Sequence, residues 1–215
     1  MTDLLLLHTS PVHVPVFDAL RDRDHPGAVL RHLVAPELLD RARTAGSESV
    51  IPALRGLLTE AGAGAGSGPG AVLVTCSTIG AAAESLAPAL GVPVLRVDRP
   101  MAAAAVRAGR RIAVLAALES TLAPTRELLA EEAGERPVSI RTHLVAGAWE
   151  RFEAGDTAGY LARVAEAAGS VTGADVIVLA QASMAGAADL VTGPVPVLSS
   201  PAPGLAAGLA MRSAP

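Results

Sequence analysis

The stretch that decides the fold is Val72-Leu73-Val74-Thr75-Cys76-Ser77-Thr78-Ile79-Gly80, in which an apolar run passes directly into hydroxyl-bearing residues. Such a run predicts a buried strand that ends in a polar turn. The pattern recurs at Val176-Ile177-Val178-Leu179-Ala180-Gln181-Ala182-Ser183-Met184. Each copy is followed by Val-Pro-Val-Leu and then a proline, at Val92 to Leu95 with Pro100 and at Val195 to Leu198 with Pro201. A repeat of this kind predicts two similar lobes.

Outward from these two strands, apolar runs alternate with segments of helical period, which is typical of βα units and a largely parallel sheet. The predicted strands are Leu4 to Leu7, Ala28 to Val34, Ala71 to Thr75, Val92 to Val97, Arg111 to Leu115, Val138 to Leu144, Val176 to Leu179 and Val195 to Leu198. The clearest predicted helices are Ser47 to Glu60, Ala81 to Leu90, Met101 to Ala108, Leu122 to Ala133, Thr157 to Ala168 and Gly204 to Ala210.

The predicted class is therefore α/β, with two pseudo-symmetric lobes that each contain a mostly parallel sheet flanked by helices. The first lobe is expected to span residues 1–98 and to be completed by a C-terminal helix within 204–215. The second is expected to span residues 99–203. The Gly/Ala/Ser-rich segment from Gly62 to Gly70 is predicted to be a flexible loop.

Composition narrows the class of ligand. The formal net charge is −4 and no cluster of basic residues is present, so neither nucleic acid nor an anionic membrane is an expected partner. The start of the chain lacks the cationic segment of a secretory signal, and acidic residues interrupt the apolar runs, so a cytoplasmic location is expected. One cysteine allows no internal disulfide and no cysteine-based zinc site, and His143 has no ligand partner nearby in sequence, so no metal is expected.

Polar turns follow several predicted strands, at the sheet edge where parallel α/β proteins bind ligands. They are His8-Thr9-Ser10, Thr75-Cys76-Ser77-Thr78, Glu119-Ser120-Thr121 and Gln181-Ala182-Ser183. Hydroxyls and the backbone N–H groups at a helix start are suited to hold a carboxylate. A small carboxylic acid is the expected substrate class.

Cys76 precedes a predicted helix, where N–H groups and the helix dipole favour a thiolate able to act as a base or nucleophile. The alternative is a buried cysteine that serves only as a small apolar side chain. The neighbouring hydroxyls of Thr75, Ser77 and Thr78 favour the functional interpretation, because a packing cysteine does not need them.

The motifs around Cys76, the segment Val-Leu-Ala-Gln-Ala-Ser-Met and the late Pro-Val-Leu-Ser-Ser-Pro together resemble the Asp/Glu racemase superfamily, particularly its hydantoin-racemase-like branch. The resemblance extends over nearly the whole chain. It implies an active site in the cleft between the lobes, no cofactor, and proton transfer next to a carboxylate by two opposed cysteines. Cys76 matches the first cysteine, whereas Gln181 stands where the family has the second. Dimers or higher homo-oligomers are also implied by the resemblance.

An amide cannot transfer protons at neutral pH, so three hypotheses remain. The first is a racemase or isomerase in which Cys76 works with His13, His8 or a water held by Ser183. The second is decarboxylation of a malonate-like acid followed by protonation by Cys76; it ranks below the first, because such relatives carry their single cysteine in the second half. The third is an inactive carboxylate-binding protein. The expected substrate-binding residues are Thr9, Ser10, Thr75, Ser77, Thr78, Thr121, Gln181, Ala182 and Ser183.

Overall fold

A computed structural model of the chain describes residues 3–63 and 68–211, and the chain divides into two compact units. Unit 1 contains the chain up to Val97 and again from Pro201, and unit 2 contains Asp98–Ser200. Parts of the predicted 62–70 loop and of the 204–215 segment lie outside the described residues. Among those described, no helix is both long and apolar enough to cross a membrane.

Unit 1 contains one four-stranded sheet in the order β2-β1-β3-β4, and all its strands are parallel. The strands are β1 (Asp3–His8), β2 (Val29–Val34), β3 (Ala71–Val74) and β4 (Val94–Arg96). The helices that connect them are α1 (His13–Asp24), α2 (Pro36–Ala45), α3 (Ile51–Glu60), α4 (Ser77–Glu84) and α5 (Ala87–Leu90).

Unit 2 has the same parallel topology, in the order β6-β5-β7-β8. After α6 (Arg99–Ala108), its strands are β5 (Arg111–Ala116), β6 (Ser139–Leu144), β7 (Val176–Leu179) and β8 (Val197–Ser199). The intervening helices are α7 (Glu119–Ala133), α8 (Ala148–Glu153), α9 (Thr157–Gly169) and a 3-10 helix over Ala182–Leu190. The predicted α/β class with two similar, mainly parallel sheets is confirmed.

The two sheets match in register as well as in strand order. Leu7 lies opposite Val74 in unit 1, and Leu115 lies opposite Leu179 in unit 2. Two pairs of backbone hydrogen bonds also match. Thr75 N–H donates to Leu7 O in unit 1 as Ala180 N–H donates to Leu115 O in unit 2, both at 2.9 Å. Ala35 N–H donates to His8 O as Val145 N–H donates to Ala116 O, both at 2.8 Å. These bonds make Cys76 and Gln181 counterparts, two residues beyond the ends of β3 and β7.

Alternation along the central strands buries both faces of each sheet, as expected of strands in parallel sheets that are covered on both sides. In unit 1, Leu5 and Leu7 pack with residues of α2, α3 and α4, whereas Leu4 and Leu6 pack with Phe17 of α1 and with the last helix. In unit 2 the same alternation divides the core between α9 on one face and α6 with α7 on the other. The cores consist mainly of Leu, Val, Ile and Ala, which suits a chain with only 2% aromatic residues.

The last helix, α10 (Pro201–Ala210), follows unit 2 in sequence but packs on unit 1. Leu205 is fully buried with residues of β1 and β3. Gly204 permits this close approach, because a Cβ there would overlap the carbonyl oxygen of Val97 and lie 3.1 Å from its carbonyl carbon.

Several predicted boundaries were wrong, mostly at prolines and helix starts. The predicted helix from Ser47 begins as a 3-10 turn, and α3 starts at Ile51 with Pro52 in its first turn, where a missing N–H does no harm. The predicted helix from Ala81 to Leu90 starts earlier, at Ser77, and is interrupted before α5, whose first turn contains Pro88. The predicted polar turn at Glu119 to Thr121 is instead the first turn of α7.

The packing of α10 gives a test with a matched control. We expect Gly204→Ala to lower the free energy of unfolding by about 1 to 3 kcal/mol, because the overlap with Val97 involves rigid backbone. We expect Gly56→Ala in α3 to raise it by up to about 1 kcal/mol, because a Cβ there meets nothing within 4 Å and alanine favours helix more than glycine does. Urea unfolding followed by circular dichroism measures both. Equal effects in the two variants would contradict the close packing of α10.

Candidate active site

Cys76 lies at the carboxyl edge of the unit 1 sheet, between β3 and α4. Its backbone is extended, with φ −115° and ψ 116°, and it occupies the N-cap position of α4. It is a free cysteine with 9% of its surface exposed. The first N–H groups of α4 have no partners within the helix, so this end of α4 favours negative charge.

Unit 1 brings seven predicted site residues to this edge, because β1 and β3 are neighbours that end together. They are His8 at the end of β1, Thr9 and Ser10 after it, and Thr75, Cys76, Ser77 and Thr78 after β3. All except Ser10 are buried. His13 is buried at the start of α1. The clustering of hydroxyls expected from the sequence is therefore found within unit 1.

Gln181 holds the counterpart position in unit 2, with a similarly extended backbone (φ −120°, ψ 139°). Its side-chain oxygen Oε1 accepts hydrogen bonds from the backbone N–H groups of Ala117, at 2.6 Å, and Leu118, at 3.3 Å. These two amides follow β5. Gln181 thus supplies a carbonyl oxygen to a pair of amides at the end of a parallel strand, the type of place where an α/β protein holds a ligand oxygen.

The other predicted residues of unit 2 have structural partners. The hydroxyls of Ser183 and Tyr160 are 2.8 Å apart, and burial raises the pKa of Tyr160 to about 12, so its hydroxyl stays protonated at neutral pH. The carbonyl oxygen of Thr121 accepts a hydrogen bond from the Thr125 hydroxyl within α7. Ala182 is buried at the start of the 3-10 helix.

The His8 ring is fully buried and both of its nitrogens are engaged. Nδ1 lies 2.8 Å from the Thr75 hydroxyl oxygen, and Nε2 lies 2.8 Å from Nδ1 of His32. Desolvation by burial, followed by the charges of His13 and His32, lowers the pKa of His8 to about 3. At neutral pH this ring is therefore uncharged and has no nitrogen left for a ligand.

His13 differs from His8, because its buried Nδ1 has no hydrogen-bond partner. Its ring lies 6.1 Å from that of His8, centroid to centroid. Burial lowers the pKa of His13 to about 4. Of the two histidines expected as second bases, only His13 keeps a ring nitrogen that is not already bonded.

Sequence reasoning missed His32 and Arg96, which bond to this edge, and Asp18, which bonds to His32. His32 on β2 contacts both His8 and Asp18, and the buried Arg96 donates from Nη2 to the carbonyl oxygen of Ser77 at 3.3 Å. The position of His32 on β2 could have indicated its contact with His8, but only once β2 was known to pair with β1. Among the described residues, no group of three His, Cys, Asp or Glu side chains is arranged to hold a metal ion.

Comparison with known proteins agrees with this architecture. A family model described as Asp/Glu/hydantoin racemase matches residues 15–207. A glutamate racemase from Bacillus anthracis superimposes with a TM-score of 0.70 at 17% identity, over 96% of this chain and 79% of that chain. An allantoin racemase from Pseudomonas fluorescens gives 0.66 at 17% identity, over 99% of this chain and 94% of that chain.

A third similar structure is a liganded double mutant of arylmalonate decarboxylase, in which one glycine is replaced by cysteine and one cysteine by serine. It gives a TM-score of 0.60 at 22% identity, over 98% of this chain and 92% of that chain. At such identities the likeness of the three structures shows the fold alone. No curated protein matches the chain in sequence.

Burial of neutral His13 predicts a pH dependence of stability. Because its pKa is depressed in the folded state, the unfolded chain binds more protons as the pH falls from about 6.5 to about 4, and stability is lost over that window. We expect His13→Leu to reduce the loss between pH 7 and pH 5 by about 1 to 2 kcal/mol. Urea unfolding at both pH values measures it, with His143→Leu, at an exposed position, as control. An unchanged pH dependence in His13→Leu would show that His13 is not buried as a neutral ring.

Proposed function

The chain belongs to the Asp/Glu/hydantoin racemase family, and we propose that it is a cofactor-independent, isomerase-type enzyme that transfers a proton at the carbon next to a carboxylate. The observation that carries this proposal is the placement of Cys76. It lies at the carboxyl edge of a parallel sheet and at the N-terminus of α4, and the buried residues Thr75, Ser77 and Thr78 flank it in sequence. The family match favours an enzyme over the alternative of a purely carboxylate-binding protein.

In the proposed reaction, Cys76 is one of two acid–base groups. One group removes the α-proton, while the electron pair of the C–H bond passes into the carboxylate to form an enediolate. Hydroxyls and backbone N–H groups at the same edge stabilise the developing negative charge. A second group then donates a proton to the α-carbon, and exchange with water restores both groups. Racemisation results when that second proton arrives on the opposite face.

His13 is the preferred second group within unit 1, because its Nδ1 is unpartnered whereas both nitrogens of His8 are bonded. Burial lowers the pKa of His13 to about 4, so its ring is neutral at pH 7. In this pair the neutral His13 ring therefore removes the α-proton, and the Cys76 thiol donates the second proton. Gln181 takes no part in proton transfer, since an amide has no useful pKa. Its role is to fill the amide pair of Ala117 and Leu118. A water held by Ser183 is less favoured, because that hydroxyl is already bonded to Tyr160.

A second candidate is decarboxylation of a malonate-like acid. It is favoured by the chain's single cysteine, because this reaction needs only one proton donor. Carbon dioxide leaves, its bonding electrons remain on the α-carbon as an enediolate, and the Cys76 thiol protonates that carbon before water returns the proton to sulfur. The fold shared with an arylmalonate decarboxylase mutant is compatible with this candidate.

The two candidates separate in deuterated water. We expect α-amino, α-hydroxy or hydantoin-type acids to gain deuterium at the α-carbon with loss of optical purity, and Cys76→Ala to reduce the rate at least about 1000-fold. Release of carbon dioxide from malonate-type acids, with one deuterium incorporated, would favour the decarboxylase. Ser85→Ala, close to the end of α4, controls for disturbance of the helix. Turnover undiminished in Cys76→Ala would refute both candidates.

Gln181 gives a second test. We expect Gln181→Cys to increase racemisation at least about 10-fold, because the family resemblance puts its second proton-transferring cysteine at this position, where the chain has an amide that cannot donate protons. Gln181→Ala also releases the amides of Ala117 and Leu118 but supplies no thiol, so it is the matched control and should show no such gain. Proton nuclear magnetic resonance and chiral chromatography follow exchange and optical purity. A similar gain in both variants would mean that the open amides, rather than the thiol, limit the reaction.

A further inference from the structure

A continuous chain of hydrogen-bonding groups leads from the surface of unit 1 to the residue before Cys76. Asp18 Oδ1 lies 3.3 Å from His32 Nε2, and His32 Nδ1 lies 2.8 Å from His8 Nε2. His8 Nδ1 in turn lies 2.8 Å from the Thr75 hydroxyl oxygen. The Asp18 side chain is 36% exposed, His32 is 15% exposed and His8 is buried, so the chain runs inward from solvent.

The counterparts of His8, His32 and Thr75 in unit 2 carry no imidazole and form no such chain. The strand registers place Ala116 where unit 1 has His8, Thr142 where it has His32, and Ala180 where it has Thr75. The fold of such a unit therefore forms without this chain of polar groups. Burying an imidazole costs desolvation energy, and that cost occurs only in the unit that contains Cys76.

We propose that Asp18, His32 and His8 form a proton relay between solvent and the Thr75 hydroxyl, and that His32 is a positioning residue for the turn that carries Cys76. The inference deepens the proposed function and rests on it for the role of Cys76. The relay itself rests on the four groups and three separations described above.

Two arrangements of protons satisfy these contacts, and they differ by one proton. In the first, the Thr75 hydroxyl donates to His8 Nδ1, His8 Nε2–H donates to His32 Nδ1, and His32 Nε2–H donates to Asp18. In the second, the Thr75 hydroxyl donates to the carbonyl oxygen of Leu7, 3.1 Å away, and His8 Nδ1–H donates to Thr75. His32 then donates from both nitrogens, to His8 and to Asp18, and is an imidazolium paired with a carboxylate.

A proton taken up at the outer end therefore reverses the His8 tautomer and turns the Thr75 hydroxyl from His8 toward Leu7. His8 remains neutral in both arrangements, in keeping with its buried position. Thr75 directly precedes Cys76 in the chain, so the two arrangements differ in the hydrogen bonding of the residue before the catalytic cysteine. The Thr75 hydroxyl only donates in the first arrangement, whereas it both donates and accepts in the second. The relay thus links the protonation of His32, near the surface, to the hydrogen bonds that Thr75 makes in the turn before Cys76.

The charged groups around the relay are few. From β1, His8 faces His32. From α1, Asp18 faces His32 and is also paired with Arg21 at 2.9 Å, and the neutral His13 ring lies 6.1 Å from that of His8, centroid to centroid. On β2 itself, Arg31 pairs with Asp3 of β1. Asp18 is thus the anion that contacts His32, and removing its charge is the cleanest way to disturb the relay without touching the buried rings.

The test uses Asp18→Asn, with Asp22→Asn as matched control. Both side chains lie on α1 and pair with Arg21, but only Asp18 contacts His32. Nitrogen-15 resonances of the His8 and His32 rings are followed from pH 5 to pH 8. We expect His8 in the wild type to change from the Nε2–H to the Nδ1–H tautomer as the pH falls. In Asp18→Asn the tautomer change should need a lower pH, because the doubly protonated His32 ring loses its anionic partner, and in Asp22→Asn it should be unchanged.

The second measurement is the pH profile of deuterium exchange by the same proteins. We expect the pH profile of exchange to move together with the tautomer change in Asp18→Asn and to be unchanged in Asp22→Asn. A merely structural role of Asp18 would not couple the two. A single His8 tautomer across the whole range overturns the relay even if the enzyme is active. A tautomer change without turnover of any acid leaves the relay intact and counts against the proposed function. A profile that stays fixed while the tautomer change moves to lower pH overturns the positioning role.

Discussion

The parallel pairing of β1 with β3, in which Leu7 lies opposite Val74, is the constraint on which the candidate site depends. Parallel neighbours end at the same edge, so the residues that follow both strands are forced together whatever their side chains. The hydrogen bond from Thr75 N–H to Leu7 O extends this pairing one residue beyond β3. It thereby fixes the position of Cys76, the N-cap residue of α4. The same geometry in unit 2 places Gln181 beside Ala117 and Leu118.

The repeated backbone makes the chemical difference between the units easy to see. Unit 1 ends its central strands in His8, Thr75 and Cys76, whereas unit 2 has Ala116, Ala180 and Gln181 at the matching places. Ala116 and Ala180 of unit 2 show that such an edge forms without polar side chains at the positions of His8 and Thr75. The polar groups of unit 1 carry a desolvation cost that folding alone does not require, and such costs are commonly found where a protein binds or reacts.

Much of the fold could be predicted from sequence, because the apolar runs of β3 and β7 are unmistakable and recur with the same following motif. The counterpart relation of Cys76 and Gln181 followed from that repeat. Helix starts such as Glu119 could not be placed, since polar residues suit both a turn and the first turn of a helix. The partnership of His8 with His32 was equally invisible, because it depends on which strands are neighbours rather than on distance along the chain.

In unit 2 the side chain of Gln181 itself occupies the two backbone amides of Ala117 and Leu118. A glutamine carbonyl fixed to the same backbone as the amides it meets is present at a high effective concentration, which no dissolved molecule easily matches. A ligand oxygen that binds these amides must first displace the glutamine carbonyl. The observed binding free energy is therefore the free energy of the new hydrogen bonds less that of the bonds to Gln181. The side chain of Gln181 therefore occupies the place in unit 2 where a ligand oxygen could bind. At the matching position of unit 1, Cys76 has a thiol and no carbonyl group.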